Sequence, residues 1–292
     1  VPRFEPFPGV RYDVSQCDPR AVTAPPYDVI SPSEREHLVA ADPRNVVRID
    51  LPVPDGSGTD PYDDAARTWT DWRSEGVLVT DPEPCFTVYR MDSVDDDGRP
   101  RHTTGVVGAL ALSPPGEDGI LPHEFTTPKA KTDRLDLLRA TTANLSAVWG
   151  LSPATGLTAL LSCEDEPDAR FTDDDGVTHS VWRITDAERI ARIAEVVTAQ
   201  PVVIADGHHR YETSLAYLQE RRDAADGGGP PVGGAESVMC FVVELVDEEL
   251  AVGPIHRLLS DLPDGFDLRG AFEPFFDLAS FELTGSGTVG RL

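Results

Sequence analysis

One stretch constrains this chain more than any other, because it forces a strand end and a helix start into the same place. Residues 201–218 read Pro-Val-Val-Ile-Ala-Asp-Gly-His-His-Arg-Tyr-Glu-Thr-Ser-Leu-Ala-Tyr-Leu. Pro201 to Ala205 is a short, nearly continuous apolar run of the kind that forms a buried strand, and Asp206-Gly207 is a turn signal. His208 to Ala224 fits a helix, with Tyr211, Leu215 and Leu218 recurring on one side. A glycine at the strand exit lets the backbone bend. The helix start beyond it offers N–H groups with positive dipole character, a ready site for an anion such as phosphate. His208, His209 and Arg210 add donor or cationic side chains within one helical turn, and Arg210 can hold a phosphate bidentately. Asp206 stands just before the turn, placed to ligate Mg²⁺ or to take a proton from an attacking hydroxyl. The plainer reading makes Asp206 an N-cap and the histidines a polar surface. In a chain with seven histidines, two of them plus an arginine at a glycine turn are an uneconomical cap.

A length of 292 residues allows two domains or one large one. No window approaches the roughly 20 apolar residues of a membrane helix. Lys and Arg number 25 against 51 Asp and Glu, a net charge of −26, and Lys129 and Lys131 are the only lysines. The acid excess is spread over the whole length. Such a composition resembles proteins of salt-accumulating archaea, where a hydrated carboxylate surface preserves solubility, and it accounts for the charge with no basic partner. Cys17, Cys85, Cys163 and Cys240 lie far apart with no CxxC pair and no secretory leader, so neither a zinc knuckle nor a disulfide framework is expected and the expected compartment is the cytoplasm. The first residue is Val and Leu292 follows a glycine-rich run, as in a fragment of a longer protein.

The opening thirty residues are rich in proline and aromatics and predict an extended strap. Ser33-Glu34-Arg35-Glu36 reads as a helix start, Asn45 to Leu51 as a short strand, and Asp60 to Glu75 as a helix stopped by Gly76. Cys85 to Met91 and Thr104 to Leu112 pair as a hairpin, and Arg170-Phe171 with Thr178 to Ile184 as another. Between them Lys131 to Ala143 reads as a helix, and Ala147 to Leu151 and Leu157 to Ser162 as strands. Asp186 to Gln200 is the cleanest amphipathic helix, and Val238 to Val246 a buried strand; Phe272 to Leu283 suggests a helix end followed by a strand. The pattern is α+β, with mixed sheets and flanking helices. An N-terminal portion, 1–166, holds the strap and a His-Glu loop, and a second portion, 167–292, holds the Asp-Gly-His-His-Arg string.

Asp206-Gly207-His208-His209-Arg210-Tyr211 resembles the phosphate-binding motif of the ParB and sulfiredoxin superfamily, in which a strand, a turn and a helix grip nucleotide phosphates. Sulfiredoxins carry Gly-Cys-His-Arg there. His208 stands where that cysteine would be, which excludes thiol chemistry on a sulfinic acid. The free serine kinases of archaea have a very similar string. The resemblance covers about twenty residues and implies phosphate contacts from Gly207, His208, His209, Arg210 and Tyr211. A broader match runs along nearly the whole chain. Pro25-Pro26-Tyr27-Asp28-Val29-Ile30-Ser31, His123-Glu124, Lys131-Thr132-Asp133-Arg134, Asn144-Leu145-Ser146, the His-His-Arg string and Gly253-Pro254-Ile255-His256-Arg257 occur in the order seen in an uncharacterised conserved family, domain of unknown function 1015. It names no reaction.

His123-Glu124 precedes a helix and lies within a dozen residues of Lys129, Lys131 and Arg134, either a binding cluster for phosphate or an acidic substrate, or a chance surface cluster. Glu124 is the choice for general base, beside a histidine and near cations. Asp28 faces a site or only shapes a turn, and His256-Arg257 offers a second anion contact or a structural one. With Asp206, the histidines His208 and His209 complete the catalytic set. The expected activity is phosphoryl transfer from ATP or ADP, with Mg²⁺ held by Asp206, to a small hydroxylated metabolite, serine by analogy. The alternative is a nucleotide-gated, ParB-like regulatory or binding module that hydrolyses slowly or not at all. There is no basic stripe or helix-turn-helix, so nucleic acid is not an expected partner. Metal-dependent hydrolysis by His123, His208 and His209 lacks a spaced ligand set and ranks last.

Overall fold

The structure, a computed structural model, describes residues 1–278 except 55, 57, 96–97, 115, 123–127, 228–231, 247–248, 250–261 and 264; of 128–132 it describes the backbone. In chain order the elements are β1 (Phe4–Glu5), β2 (Val10–Tyr12), α1 (Pro19–Val22), α2 (Pro32–Ala41), α3 (Val47–Asp50), α4 (Pro61–Ser74) and β3 (Leu78–Thr80). Next come β4 (Phe86–Val94), β5 (Pro100–Ala111), β6 (Ile120–Leu121), α5 (Pro128–Thr141), β7 (Val148–Ser152) and α6 (Leu157–Leu160). The last group is β8 (Ala169–Thr172), β9 (Thr178–Ile184), α7 (Ala187–Thr198), β10 (Val202–Asp206), α8 (His208–Asp226), β11 (Ser237–Glu244) and α9 (Leu268–Phe272). No helix among the described residues is long and apolar enough to cross a membrane.

The architecture is the expected α+β one, a mixed sheet with flanking helices. Its strands run in the order β6-β10-β7-β11-β5-β4-β9-β8, with β1 also pairing with β5. The pairs β10/β6 and β11/β7 are parallel and the others antiparallel. Strands from both sides of Glu166 intermingle in this one sheet, and both expected hairpins form, as β4/β5 and β8/β9. One core lies on a single sheet face, where Phe86, Val88, Val106, Val148, Val202 and Ile204 meet Ile193 and Val197 of α7 and Tyr211 of α8. Gly108 of β5 makes this possible, since a Cβ there would come within 2.4 Å of the Phe4 ring and 2.7 Å of Phe86. A second core joins Val22, Ile49, Ala65 and Trp72 of the N-terminal helices to Leu137 of α5. Helix α5 thus ties that layer to α8, helped by Arg139, whose Nε and Nη2 donate to the Glu220 carboxylate at 3.0 and 2.5 Å.

The helix starts follow from local chemistry. Ser31 and Glu34 form a reciprocal capping box on α2 with Pro32 at the first turn. Asp60 and Asp186 cap α4 and α7 through their carboxylates, and Gly76, at φ +75°, follows α4 in a left-handed conformation. Two expected strands are helical turns instead. Asn45 is fully buried, accepts from Val47 N at 3.0 Å and donates to the Ala21 and Thr23 carbonyls at 2.9 and 2.7 Å, which winds 47–50 into α3 rather than a strand. At Leu157 the buried Glu244 carboxylate accepts from Gly156 N and Thr158 N at 2.9 and 2.7 Å and nucleates α6. The strap is broken by β1, β2 and the single turn of α1, and of the expected 272–283 segment only α9 and the residues to 278 are described.

Candidate functional site

The strand-turn-helix forms as its sequence predicts. Strand β10 pairs with β7, and a register shift between Ile204 and Asp206 re-aims the end of the strand beside Trp149. Gly207 then adopts φ +87°, ψ +27°, the left-handed conformation that costs an L side chain about 1–2 kcal/mol. It supplies no side-chain cap to α8. The Arg210 guanidinium folds back over it, so closely that a Cβ on Gly207 would lie 2.9–3.1 Å from Nε, Cζ and Nη2. Arg210 Nη2 donates to Asp206 Oδ2 at 2.5 Å and Nη1 to the Ala147 carbonyl at the entry to β7. One guanidinium therefore clasps the strand end, the helix start and the neighbouring strand. It has five N–H donors, so the clasp leaves some for a ligand.

Beside this clasp lies a cavity of about 50 Å³ lined by Tyr27, Asp50, Arg134, Leu137, Asn144, Ser146, Arg210, Thr213 and Ser214, among others. Segments far apart in sequence meet there: the Pro-Pro-Tyr turn, α3, α5, the Asn144–Ser146 bend and the first turns of α8. Arg134 is its most buried charge, with a side chain 6% exposed. Its Nη1 donates to the Asp50 carbonyl at 2.7 Å and to Asp50 Oδ1 at 3.2 Å, and its Nε to Asp133 Oδ2 at 2.8 Å. Tyr27 stacks on it, with Cζ 4.0 Å from the ring centroid. Ser146 Oγ donates to the other Asp50 oxygen at 3.0 Å. Burial pushes the Asp50 carboxyl above the usual carboxylate range, against the pull of Arg134 and Ser146.

The structure brings Asp206, Gly207, Arg210 and Arg134 into one neighbourhood. Asp206 has a side chain 63% exposed and points its carboxylate outward beside Arg210. His208 is buried at 3% exposure, and His209 is half-buried. The Tyr211 hydroxyl is bound within the core, accepting from Ser113 N at 3.1 Å and donating to Ser113 O at 2.8 Å. Tyr27 lines the cavity, whereas Asp28 is exposed beside it. His123, Glu124, His256 and Arg257 lie outside the described residues, as does the side chain of Lys131. Sequence reasoning missed Asp50, hidden in a stretch taken for a strand, and Thr213, whose only signal is its place three residues beyond Arg210 on one helix face.

Among the described residues no three His, Cys, Asp or Glu side chains are grouped to hold a metal ion. Asp206 offers one outward carboxylate, with Oδ2 on Arg210, so it could give at most one protein ligand to a Mg²⁺ ion that keeps its waters. The cysteines are all free, and burial holds the Cys85 and Cys240 thiols at about 11 and about 12, so neither is a nucleophile at neutral pH. A wider groove of about 690 Å³ runs along α6 and α7, but it is open, and its Arg189 is spent on the Leu160 and Ser162 carbonyls.

Fold and site define a mixed α+β protein whose distant sequence motifs converge on one small cavity with two guanidinium groups. The match to a family model agrees in extent: residues 4–288 match the family described as Protein of unknown function (DUF1015), and the chain belongs to that family. No curated protein and no solved structure matches the chain.

Proposed function

We propose that the bend at Gly207, with Arg210 folded over it, binds the phosphates of a nucleotide, and that the protein transfers a phosphoryl group to a small hydroxylated metabolite. The observation that carries this reading is the placement of Arg210 over a left-handed glycine at a helix start, at the edge of a cavity that Arg210 and Arg134 both line. Backbone amides of a helix start and a guanidinium fork are complementary to phosphate oxygens. The local pattern also resembles the nucleotide-phosphate motif of the ParB and sulfiredoxin superfamily.

In this reaction the bond between the terminal phosphorus and the leaving oxygen of the nucleotide breaks, and a bond from the metabolite oxygen to phosphorus forms. The hydroxyl proton passes to a carboxylate, assigned to Glu124. Arg210 and the α8 amides hold the phosphates in line and offset charge on the transferring group. Bound Mg²⁺, held by Asp206 and phosphate oxygens, would neutralise further charge. Serine is the acceptor that analogy suggests, and the acid excess suits an assay in molar KCl.

The test is to incubate the protein and Mg²⁺ with ATP or ADP labelled on the terminal phosphate and a pool of hydroxylated metabolites. Label is expected on an organic acceptor, with Arg210→Ala abolishing the transfer. Bound nucleotide with only slow release of inorganic phosphate would replace this reading with a nucleotide-gated binding module. Absence of both binding and turnover would remove it.

A further inference from the structure

Two residues that line the cavity each carry a buried polar atom with no hydrogen-bond partner among the described residues: Arg134 Nη2 and Thr213 Oγ1. They come from different helices, α5 and α8, and both are cut off from solvent, with Thr213 3% exposed. A buried donor without an acceptor is destabilising, and two on residues of one cavity single it out as a place for an acceptor that the described residues do not supply. Arg134 cannot turn away to find another, because Asp50, Asp133 and the Tyr27 ring fix its plane.

We propose that Arg134 Nη2 and Thr213 Oγ1 form a buried subsite for one carboxylate of the ligand; on the phosphotransferase reading, the acceptor carries that carboxylate. Charge and size select the group. Arg134 is paired with Asp50 and Asp133, and Arg210 with Asp206, so no positive charge is in excess and a monoanion is accommodated at less cost than a phosphate dianion. A volume of about 50 Å³ has room for a small group such as a carboxylate. The remainder of the ligand lies towards Arg210, Asn144 and Ser214, which line the same cavity.

The experiment titrates the full chain at constant KCl, without nucleotide, with acetate, with its neutral isostere acetamide, and with inorganic phosphate, reading the NMR relaxation of each probe. Acetate is expected to bind and acetamide to bind far more weakly. Thr213→Val should weaken acetate binding by roughly tenfold or more, the scale of a hydrogen bond to a charged group, and Thr213→Ser should retain it. Thr213→Val should not lower the melting temperature of the ligand-free chain, because the hydroxyl removed has no protein partner. Equal acetate affinity in wild type and Thr213→Val overturns the subsite, because a water molecule filling the cavity gives that result. Phosphate binding without acetate binding overturns the carboxylate assignment. Since no nucleotide is present, acetate binding that persists where label transfer fails removes the phosphotransferase reading and leaves the subsite standing.

Discussion

Arg134→Met is expected to destabilise the fold by about 3–5 kcal/mol at neutral pH, the cost of stranding a buried charge when its partner is removed. The stranded group is Asp50, whose side chain is 13% exposed and whose remaining partner is Ser146 Oγ. The pH dependence separates this cause from lost packing against Tyr27. Burial already holds the Asp50 carboxyl above its ordinary range in the wild type, so the folded chain binds that proton more readily than the unfolded chain does. Ionised Asp50 therefore opposes folding most fully above its folded pKa, and the opposition fades as the pH falls towards the unfolded carboxylate value of about 3.9. Without Arg134 the folded pKa moves higher still. The deficit relative to wild type should be largest near pH 7 and shrink on acidification. Asp50→Asn in the Arg134→Met background should recover most of it at pH 7. Denaturant melts at pH 7 and pH 5 measure both effects. A deficit indifferent to pH and to Asp50→Asn would assign the loss to packing alone.

The second large effect concerns ligand binding. Arg210→Ala should weaken nucleotide binding by about 1.5–3 kcal/mol, roughly ten- to a hundredfold, because it removes the charged fork of the proposed phosphate site. Arg210→Lys should restore little, since a single ammonium cannot reproduce the planar clasp on Asp206 and the Ala147 carbonyl. Gly207→Ala should act in the same direction by another route. The added methyl group meets the Arg210 guanidinium at 2.9–3.1 Å, and the φ of +87° is strained for alanine. Calorimetric titration checks all three variants, and unchanged affinity in Arg210→Ala would remove this residue from the binding site.

The bend itself was legible in the sequence because every level agreed: an apolar strand, a glycine with no side chain to strain, and a helix-compatible run. The capped helices α2, α4 and α7 and both hairpins were legible for the same reason, each carrying its own start or turn chemistry. What misled was short-range alternation without regard to tertiary hydrogen bonds. The windings of α3 and α6 depend on Asn45 reaching the Ala21 and Thr23 carbonyls and on Glu244 reaching back to Gly156 and Thr158, pairings that no local pattern announces. The same error hid Asp50, which an alternating strand would have left an ordinary surface acid. Tyr211 shows the opposite case: its place in the motif suggested a phosphate contact, while the fold spends its hydroxyl on Ser113. The cavity joins residues 27, 50, 134, 146 and 210, and only the packing of α5 between the N-terminal layer and α8 brings them together.

The most direct measurement is a crystal structure of the protein with Mg²⁺ and a non-hydrolysable nucleotide. The expected result is a phosphate group within hydrogen-bond reach of the amides that follow Gly207 and of the Arg210 guanidinium, with Asp206 turned towards the metal. A nucleotide seated elsewhere, with Arg210 still closed on Asp206 and Ala147, would contradict it.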